Sequence, residues 1–427
     1  MMSEADQTKL DAAAADEPAV DPNWCVHILD LPPELLGAIF QHIDGVGLAL
    51  CESTCAAFRE QATYDMWRGV VLDRWGWLLH SAPAKESWRD LFVRLHTGAR
   101  SAFRVIGGCA LEIEGVHQVP SEHLSACFSF HPSRQRQWSS TAPPSEIREM
   151  AAVVRAASGA LVAIGGCSMD YTELHGGGHA MSMRTLDSVE CLTATGPDAQ
   201  WAQMAPLLEA RCCSGAAVDK RSHIYVCGGG ESMYRGAACL RSVERYDPLV
   251  KTWRAAPEML EVRCGLGVAI SHATDRLIAI GGYAGDMRYL ASCEWLDLSG
   301  SAGADARWVA LPPMSCERAG CAAAAGPDGR IYVVGGGPDG TNVHCTIEAL
   351  DPRTKSWDVA LAPSIIGRHY NACAFGPDGF LYASGAFRHE PVGQLDAVER
   401  YDPRADRWEA LAPIGFVVNF SAGAFTF

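Results

Sequence analysis

A glycine pair that recurs along the chain constrains the fold more than any other feature of the sequence. Each pair follows a short apolar run, such as Ile224–Cys227 or Ile331–Val334, which has the length and composition of a buried strand. The pairs begin at Gly107, Gly165, Gly228, Gly281 and Gly335, and a sixth copy is reduced to Ser384-Gly385. A tryptophan follows each copy at a similar spacing, at Trp138, Trp201, Trp253, Trp308, Trp357 and Trp408. Six copies separated by 49 to 63 residues indicate a repeat architecture.

Each repeat has room for four strands. A third strand ends in an Asp-Pro turn, as in Val243–Pro248, and the tryptophan opens a fourth strand. Runs of glycine and alanine, such as Gly215–Val218, precede the apolar strands and suit the crowded axis of a ring. Four strands in about 50 residues make one blade of a β-propeller. The sequence therefore predicts a mainly β fold, with a six-bladed β-propeller over residues 99–427.

The two ends of this region predict how the ring closes. The first repeat has no inner strand before its glycine pair, whereas the chain finishes on an inner-strand sequence, Val418–Phe427, with no glycine pair after it. We expect the two fragments to complete one blade, because a closed ring leaves no unpaired sheet edge.

The glycine pair, the spaced aromatic residue and the tryptophan resemble the kelch repeat family over residues 99–427. The resemblance implies a propeller that binds another protein. Contacts with that target are expected in the unequal loops between second and third strands, because exposed aromatic residues and arginine dominate binding hot spots. The candidates are Tyr171, His175, Tyr234, Arg235, Tyr283, Arg288, Tyr289, Phe387, Arg388 and His389.

Five repeats also carry an arginine at the start of the inner strand and a glutamate in the third strand. The arginines are Arg148, Arg211, Arg263, Arg318 and Arg368, and the glutamates are Glu190, Glu244, Glu294, Glu348 and Glu399. Val418 and Phe128 occupy the two positions in the remaining repeat. This joint absence favours an ion pair within each blade. The alternative is that Arg211, Arg263, Arg318 and Arg368 contact the target as a basic ring that binds acidic or phosphorylated peptides.

Residues 25–72 have a different, helical character, with Pro opening a helix and apolar residues on one face. The segment resembles the F-box family, in which this module docks the Skp-type adaptor of cullin-based ubiquitin ligases. The resemblance assigns adaptor contacts to Leu31, Pro32, Leu35, Leu36, Ile39, Phe40, Ile43, Leu48, Phe58 and Trp67. We expect residues 1–24 to be a disordered acidic tail and residues 73–98 a helical linker.

Composition excludes several other classes of protein. A net charge of −15 would repel the phosphate backbone of a nucleic acid. No apolar stretch approaches the roughly 18 residues of a membrane helix. Apart from the adjacent Cys212 and Cys213, the 17 cysteines lie singly, many of them in apolar runs, and no CxxC pair is found. We therefore predict a reducing compartment, the cytoplasm or the nucleus, and no metal or other cofactor.

No nucleophile elbow, HExxH or P-loop motif is found, so no catalytic residue is assigned and we do not expect an enzyme. An F-box ahead of a kelch ring resembles the substrate receptor of an SCF-type ubiquitin ligase, with a Skp-type adaptor, a cullin and an unknown target protein as partners. Two alternatives are a ligase-independent scaffold and, less favoured, an enzyme built on a kelch-like ring.

Overall fold

The computed structural model of the chain describes most of the residues after position 143. The described residues are 102–106, 127–130, 138–141, 144–146, 148–156, 158–174, 178–192, 200–231, 238–300, 306–338, 342–376, 378–385, 387–388, 393–394, 397–413 and 422–426. All belong to the unit Thr97–Phe427. The acidic tail, the F-box with its ten adaptor-contact residues, and the helical linker are predictions that lie outside the described residues.

Twenty-eight strands are formed within these ranges. The first three are β1 (Ala102–Ile106), β2 (Cys127–Phe130) and β3 (Trp138–Thr141). Blade 1 contains β4 (Ala152–Arg155), β5 (Leu161–Ile164), β8 (Val189–Leu192) and β9 (Trp201–Gln203), with a hairpin of β6 (Cys167–Leu174) and β7 (Gly178–Thr185) between its second and third strands. Blade 2 contains β10 (Gly215–Val218), β11 (Ile224–Cys227), β12 (Val243–Asp247) and β13 (Thr252–Ala256).

The remaining strands follow the same order. Blade 3 contains β14 (Gly267–Ser271), β15 (Arg276–Ile280), β16 (Cys293–Asp297) and β17 (Val309–Leu311). Blade 4 contains β18 (Ala319–Ala325), β19 (Ile331–Gly337), β20 (Ile347–Asp351) and β21 (Ser356–Asp358). Blade 5 contains β22 (Ala372–Phe375), β23 (Leu381–Ser384), β26 (Val398–Asp402) and β27 (Arg407–Ala410), with the short pair β24 (Phe387–Arg388) and β25 (Gly393–Gln394) in its loop. The last strand is β28 (Ala422–Thr426).

Each blade is an antiparallel meander whose four strands are consecutive apart from the inserted hairpins. A further four-stranded sheet is composite, because β28 from the chain terminus pairs with β1, followed by β2 and β3. The mainly β prediction is confirmed. The prediction of a six-bladed ring is corrected to five contiguous blades and one composite sheet. The composite sheet differs from the five blades because its strands are not contiguous in the chain: β1 to β3 precede the blades, and β28 follows them.

The first strands of the blades line the centre of the ring. They contact one another in the order β4, β10, β14, β18 and β22, and β28 lies beside both β22 and β4. Apolar side chains fill the space between neighbouring blades. For example, Val243 and Met259 pack in one buried cluster with Val268, Leu277 and Trp308 of the next blade. Burial of apolar side chains is the dominant favourable contribution to the free energy of folding.

The repeated tryptophan holds the segments that join one blade to the next, here called the inter-blade linkers (204–214, 257–266, 312–318 and 359–371). The indole N–H of Trp253 donates a hydrogen bond of 2.9 Å to the carbonyl of Ala205 in the linker that enters blade 2. Trp308, Trp357 and Trp408 make the same bond to Pro257, Pro312 and Ala362. The spacing of tryptophan in the sequence therefore reflects one linker contact for each of these blades.

No helix in the described ranges has the length and apolarity needed to cross a membrane. The twelve cysteines between Cys167 and Cys373 are all free.

Candidate functional site

Two kinds of loop meet at one edge of the ring, here called the loop face. The inter-blade linkers contact the loops that join second and third strands: Met259 N–H donates to the carbonyl of Arg241, and Arg263 N–H donates to that of Leu240. Because the first and third strands of a meander run in the same direction, the arginine and glutamate of each blade also lie at this edge.

The five arginines pair with the five glutamates inside the sheets. The shortest nitrogen–oxygen distances are 3.6 Å for Arg148–Glu190, 2.7 Å for Arg211–Glu244, 2.8 Å for Arg263–Glu294, 2.8 Å for Arg318–Glu348 and 2.6 Å for Arg368–Glu399. No side chain of these pairs is more than 3% exposed. Buried charges are tolerated only when they are paired and hydrogen-bonded.

The other donors of each arginine satisfy backbone carbonyls across the glycine pair. Nη1 of Arg263 donates to the carbonyl of Gly281 at 2.7 Å and to that of Ser292 at 2.9 Å. The same two bonds recur in the other four blades. Each arginine therefore connects three strands of its blade at the point where the glycines leave space for its side chain.

Each glutamate also holds the linker that enters its blade. The backbone N–H of Leu260 donates to Glu294 at 2.6 Å, and those of Leu208 and Ile365 donate to the corresponding glutamates at 2.7 Å and 2.8 Å. Ser145 and Ser315 make the equivalent bond. The carboxylates thus fix the linkers at the loop face.

Four sequence-predicted target contacts are corrected by this geometry. Arg211, Arg263, Arg318 and Arg368 are at most 1% exposed, and protein groups occupy their guanidinium donors. They form intramolecular ion pairs rather than an exposed basic ring, because each guanidinium group bonds to a glutamate and to backbone carbonyls of its own blade. Of the two interpretations of the arginines, the ion pair is the one that the structure shows.

Six of the ten remaining predicted target contacts lie within the described residues. The rings of Tyr283 and Tyr289 contact each other in a tilted arrangement, with centroids 5.2 Å apart, in the blade 3 loop. The half-exposed Arg288 bonds to Glu261 at 2.8 Å. Tyr171 lies in β6, and Phe387 and Arg388 form β24. The predictions for His175, Tyr234, Arg235 and His389 lie outside the described residues.

A second carboxylate stands beside the buried pair in three blades. Glu146, Glu209 and Glu261 each lie two residues before the arginine and contact its Nη2 at 3.2 to 3.3 Å. The hydrogen bond from Ser188, together with Arg184 and Arg148, lowers the pKa of Glu146 below its ordinary value despite partial burial. These carboxylates are 30% to 49% exposed, so they reach solvent at the loop face, whereas the arginines they contact do not.

Sequence reasoning missed an apolar feature of the loop face. Large side chains are exposed three residues before the arginine in three linkers, with fractions of 62% for Leu208, 55% for Leu260 and 58% for Ile365. Met287 in the blade 3 loop is also exposed. The common spacing from each arginine was a signal that the sequence contained. Exposed apolar residues of this kind mark interaction surfaces when they are clustered.

A cavity of about 130 Å³ lies between the first residues of the inner strands of the five blades. Four backbone hydrogen bonds of 2.7 to 3.0 Å link five residues of its lining in a row. Each N–H donates to the carbonyl of the next residue, in the order Tyr370, Gly320, Gly265, Cys213 and Met150. All five have a left-handed backbone, which costs about 1 kcal/mol or more at the non-glycine positions. In the described ranges no group of three or more His, Cys, Asp and Glu side chains is arranged to hold a metal ion.

Comparison with known proteins places these features in a family context. A model of the kelch motif matches residues 210–260 and 318–360. Kelch-like protein 34 of Homo sapiens is 30% identical over 184 residues, which cover 41% of this chain and 26% of that protein. Kelch-like protein 23 of Mus musculus is 28% identical over 235 residues, covering 55% of this chain and 38% of that protein.

The F-box/kelch-repeat protein At4g39590 of Arabidopsis thaliana is 33% identical over 103 residues, covering 22% of this chain and 23% of that protein. The chain therefore spans less than two fifths of the length of these relatives. The solved structure titled "Structure of YjhT" matches 67% of this chain and 91% of its own, with a TM-score of 0.53 and 15% identity, and supports the fold alone. The propeller and the kelch matches together support a kelch-repeat protein.

Proposed function

We propose that this chain is the substrate-recognition subunit of an SCF-type ubiquitin ligase. In this proposal the F-box at residues 25–72 docks a Skp-type adaptor, which links the chain to a cullin, and the loop face of the propeller binds the target protein. The contribution to ubiquitin transfer is proximity, without chemistry by this chain.

The observation that carries the binding half of the proposal is the arrangement of the loop face. Leu208, Leu260 and Ile365 are exposed there, yet each has its backbone N–H fixed by a buried glutamate. A partner that covers these side chains gains apolar burial without ordering the loops that carry them. The ligase half rests on the F-box resemblance and on one relative whose name combines an F-box with kelch repeats.

A ligase-independent scaffold is the second candidate. It is favoured by the more extensive matches to Kelch-like proteins 34 and 23, whose names do not mention an F-box. It uses the same loop face and differs only in what residues 25–72 bind.

Co-purification separates the two candidates. The tagged full chain is expressed in cells, and the Skp-type adaptor and cullin recovered with it are quantified by mass spectrometry. We expect both to be recovered with the wild-type chain and lost with Leu35→Asp plus Phe40→Asp. Leu249→Asp, at an exposed turn of blade 2, is the matched control and should retain them. An unchanged cullin complex from the double variant would refute the receptor proposal, whereas bound targets without adaptor would support the scaffold.

A further inference from the structure

Five free cysteines of blades 1, 2 and 3 gather in one cluster, and one of them, Cys213, lines the central cavity. Cys167, Cys212, Cys213 and Cys264 are buried in one cluster, and Cys239 packs against it. The Cys212 thiol donates to the carbonyl of Gly230, and the Cys213 thiol donates to the sulfur of Met150 at 3.1 Å. The five cysteines therefore form one cluster, which takes no part in the ion pairs.

Cys239 and Cys264 lie on two segments that a backbone hydrogen bond joins. Cys239 lies in the loop between β11 and β12 of blade 2, and Cys264 lies in the linker that enters blade 3. The N–H of Arg263 donates to the carbonyl of Leu240 at 2.9 Å, so Cys264 and Cys239 are the chain neighbours of two hydrogen-bonded residues. A disulfide requires Cα atoms within about 7 Å, and both cysteines belong to the same packed cluster.

The two thiols differ in acidity and in access. Hydrogen bonds from Cys213 and Cys239 lower the pKa of Cys264 to about 5, although burial opposes them. The bond to Cys264 and burial raise the pKa of Cys239. Cys264 is 4% exposed, whereas Cys239 is the half-buried member of the cluster. Cys212 is also acidic, but it is fully buried and its thiol partners Cys167 and Cys213 are buried too.

We propose that Cys264 and Cys239 form a redox site at which a hydroperoxide is reduced and an intrachain disulfide is made. The Cys264 thiolate attacks the terminal oxygen of the peroxide, so that an S–O bond forms and the O–O bond breaks. The Cys239 thiol gives its proton to the departing alkoxide. The Cys239 thiolate then attacks the sulfur of the Cys264 sulfenic acid, and the hydroxide that leaves takes a proton from solvent. In total, two thiols are oxidised and the peroxide is reduced to an alcohol, or to water, with one further water released.

The test uses the reduced full-length chain and hydrogen peroxide as the probe. After timed exposure, free thiols are blocked, and peptides are mapped by mass spectrometry with and without reductant. We expect a Cys239–Cys264 disulfide as the first intrachain product, and its removal by dithiothreitol. In the Cys239→Ser variant, Cys264 should instead accumulate as a sulfenic acid that dimedone traps. In the Cys264→Ser variant, Cys239 should stay reduced over the same time.

Cys345 supplies the matched control, because it is exposed and lies outside the cluster. The Cys345→Ser variant should form the disulfide at the wild-type rate. The proposal is overturned if Cys345 or another exposed cysteine is oxidised while Cys239 and Cys264 stay reduced, or if the first disulfide joins a different pair. Circular dichroism of each variant before oxidation shows whether the propeller is folded. A folded Cys264→Ser variant with wild-type kinetics of Cys239 oxidation would also contradict the assigned roles.

Discussion

Arg318 and Glu348 connect the first and third strands of blade 4 from within the sheet. Nη2 and Nε of the arginine lie 2.8 Å and 3.1 Å from the same carboxylate oxygen, and neither side chain is more than 1% exposed. The pair is also tied to the linker, since the N–H of Ser315 donates to the second oxygen of Glu348. One ion pair thus stabilises both a blade and its junction with the preceding blade.

Removal of one partner of this pair should destabilise the fold strongly. Arg318→Leu leaves the Glu348 charge buried without its partner, and we expect a loss of about 3–5 kcal/mol in the free energy of unfolding. The double variant with Glu348→Leu should lose less, because no uncompensated charge remains. Arg353→Leu at an exposed turn is the control and should change stability by at most about 0.5 kcal/mol. Urea titration measures all three, and equal midpoints for wild type and Arg318→Leu would contradict the structural role.

A comparison of two glycines tests how closely the next inter-blade linker approaches the glycine pair. A Cβ at Gly281 would lie 2.3 Å from the carbonyl oxygen of Arg318, whereas a Cβ at Gly285 would meet nothing within 4 Å. Both have a left-handed backbone, so alanine adds about 1 kcal/mol of strain at either site. We therefore expect Gly281→Ala to lower the melting temperature much further than Gly285→Ala. Similar melting temperatures for the two variants would count against the geometry at the glycine pair.

Glu149 should make stability depend on pH. Its side chain is 2% exposed, and burial raises its pKa from 4.5 to about 7. The folded state therefore holds this proton more tightly than the unfolded state, so the associated stability falls as pH rises from about 4.5 to 7. Replacement by glutamine removes this penalty. Glu149→Gln should be more stable than wild type by up to about 3 kcal/mol at pH 8, and the difference should vanish below pH 4.5.

Denaturant titrations at pH 4.5, 6, 7 and 8 measure the difference. A constant gap between the two proteins across this range would show that Glu149 does not titrate between the folded and unfolded states as stated.

The exposed leucines of the loop face should be needed for target binding and dispensable for folding. Leu208→Asp plus Leu260→Asp places two charges where the proposed target would bury apolar surface, and we expect at least a tenfold loss of recovered target in quantitative affinity purification. The melting temperature should stay close to that of wild type, because both side chains are more than half exposed. Leu249→Asp, 91% exposed at a turn between third and fourth strands, is the matched control. Full target recovery with the double variant would place the binding surface elsewhere.

The terminal strand should be required for closure of the ring. β28 pairs with β1 over five residues and lies between β22 and β4. Deletion of residues 418–427 should leave β1 with an unpaired edge and lower the melting temperature. Differential scanning calorimetry of the truncated and full chains provides the measurement. A truncated chain that melts like the full chain would refute closure by β28.

Several features of the propeller could be read from the sequence because they repeat. The glycine pairs and tryptophans predicted the blades, and the joint absence of arginine and glutamate from one repeat favoured the ion pair over independent ligand contacts. The tryptophan spacing is explained by the indole bond to the linker, which recurs at Trp253, Trp308, Trp357 and Trp408. Such contacts depend on local register, and a repeat fixes that register in every copy.

Only the tertiary structure decided which repeated charges reach solvent. Arg263 and Glu261 are two residues apart in the sequence, yet the arginine side chain is 1% exposed and the glutamate side chain is 31% exposed. The difference arises because Arg263 bonds to the buried Glu294 and to two carbonyls within its blade. The gathering of Cys239 and Cys264 likewise has no sequence period, since it joins a loop of one blade to the entry of the next. Sequence periodicity specifies contacts made in every blade, whereas contacts between unlike segments depend on how the ring brings them together.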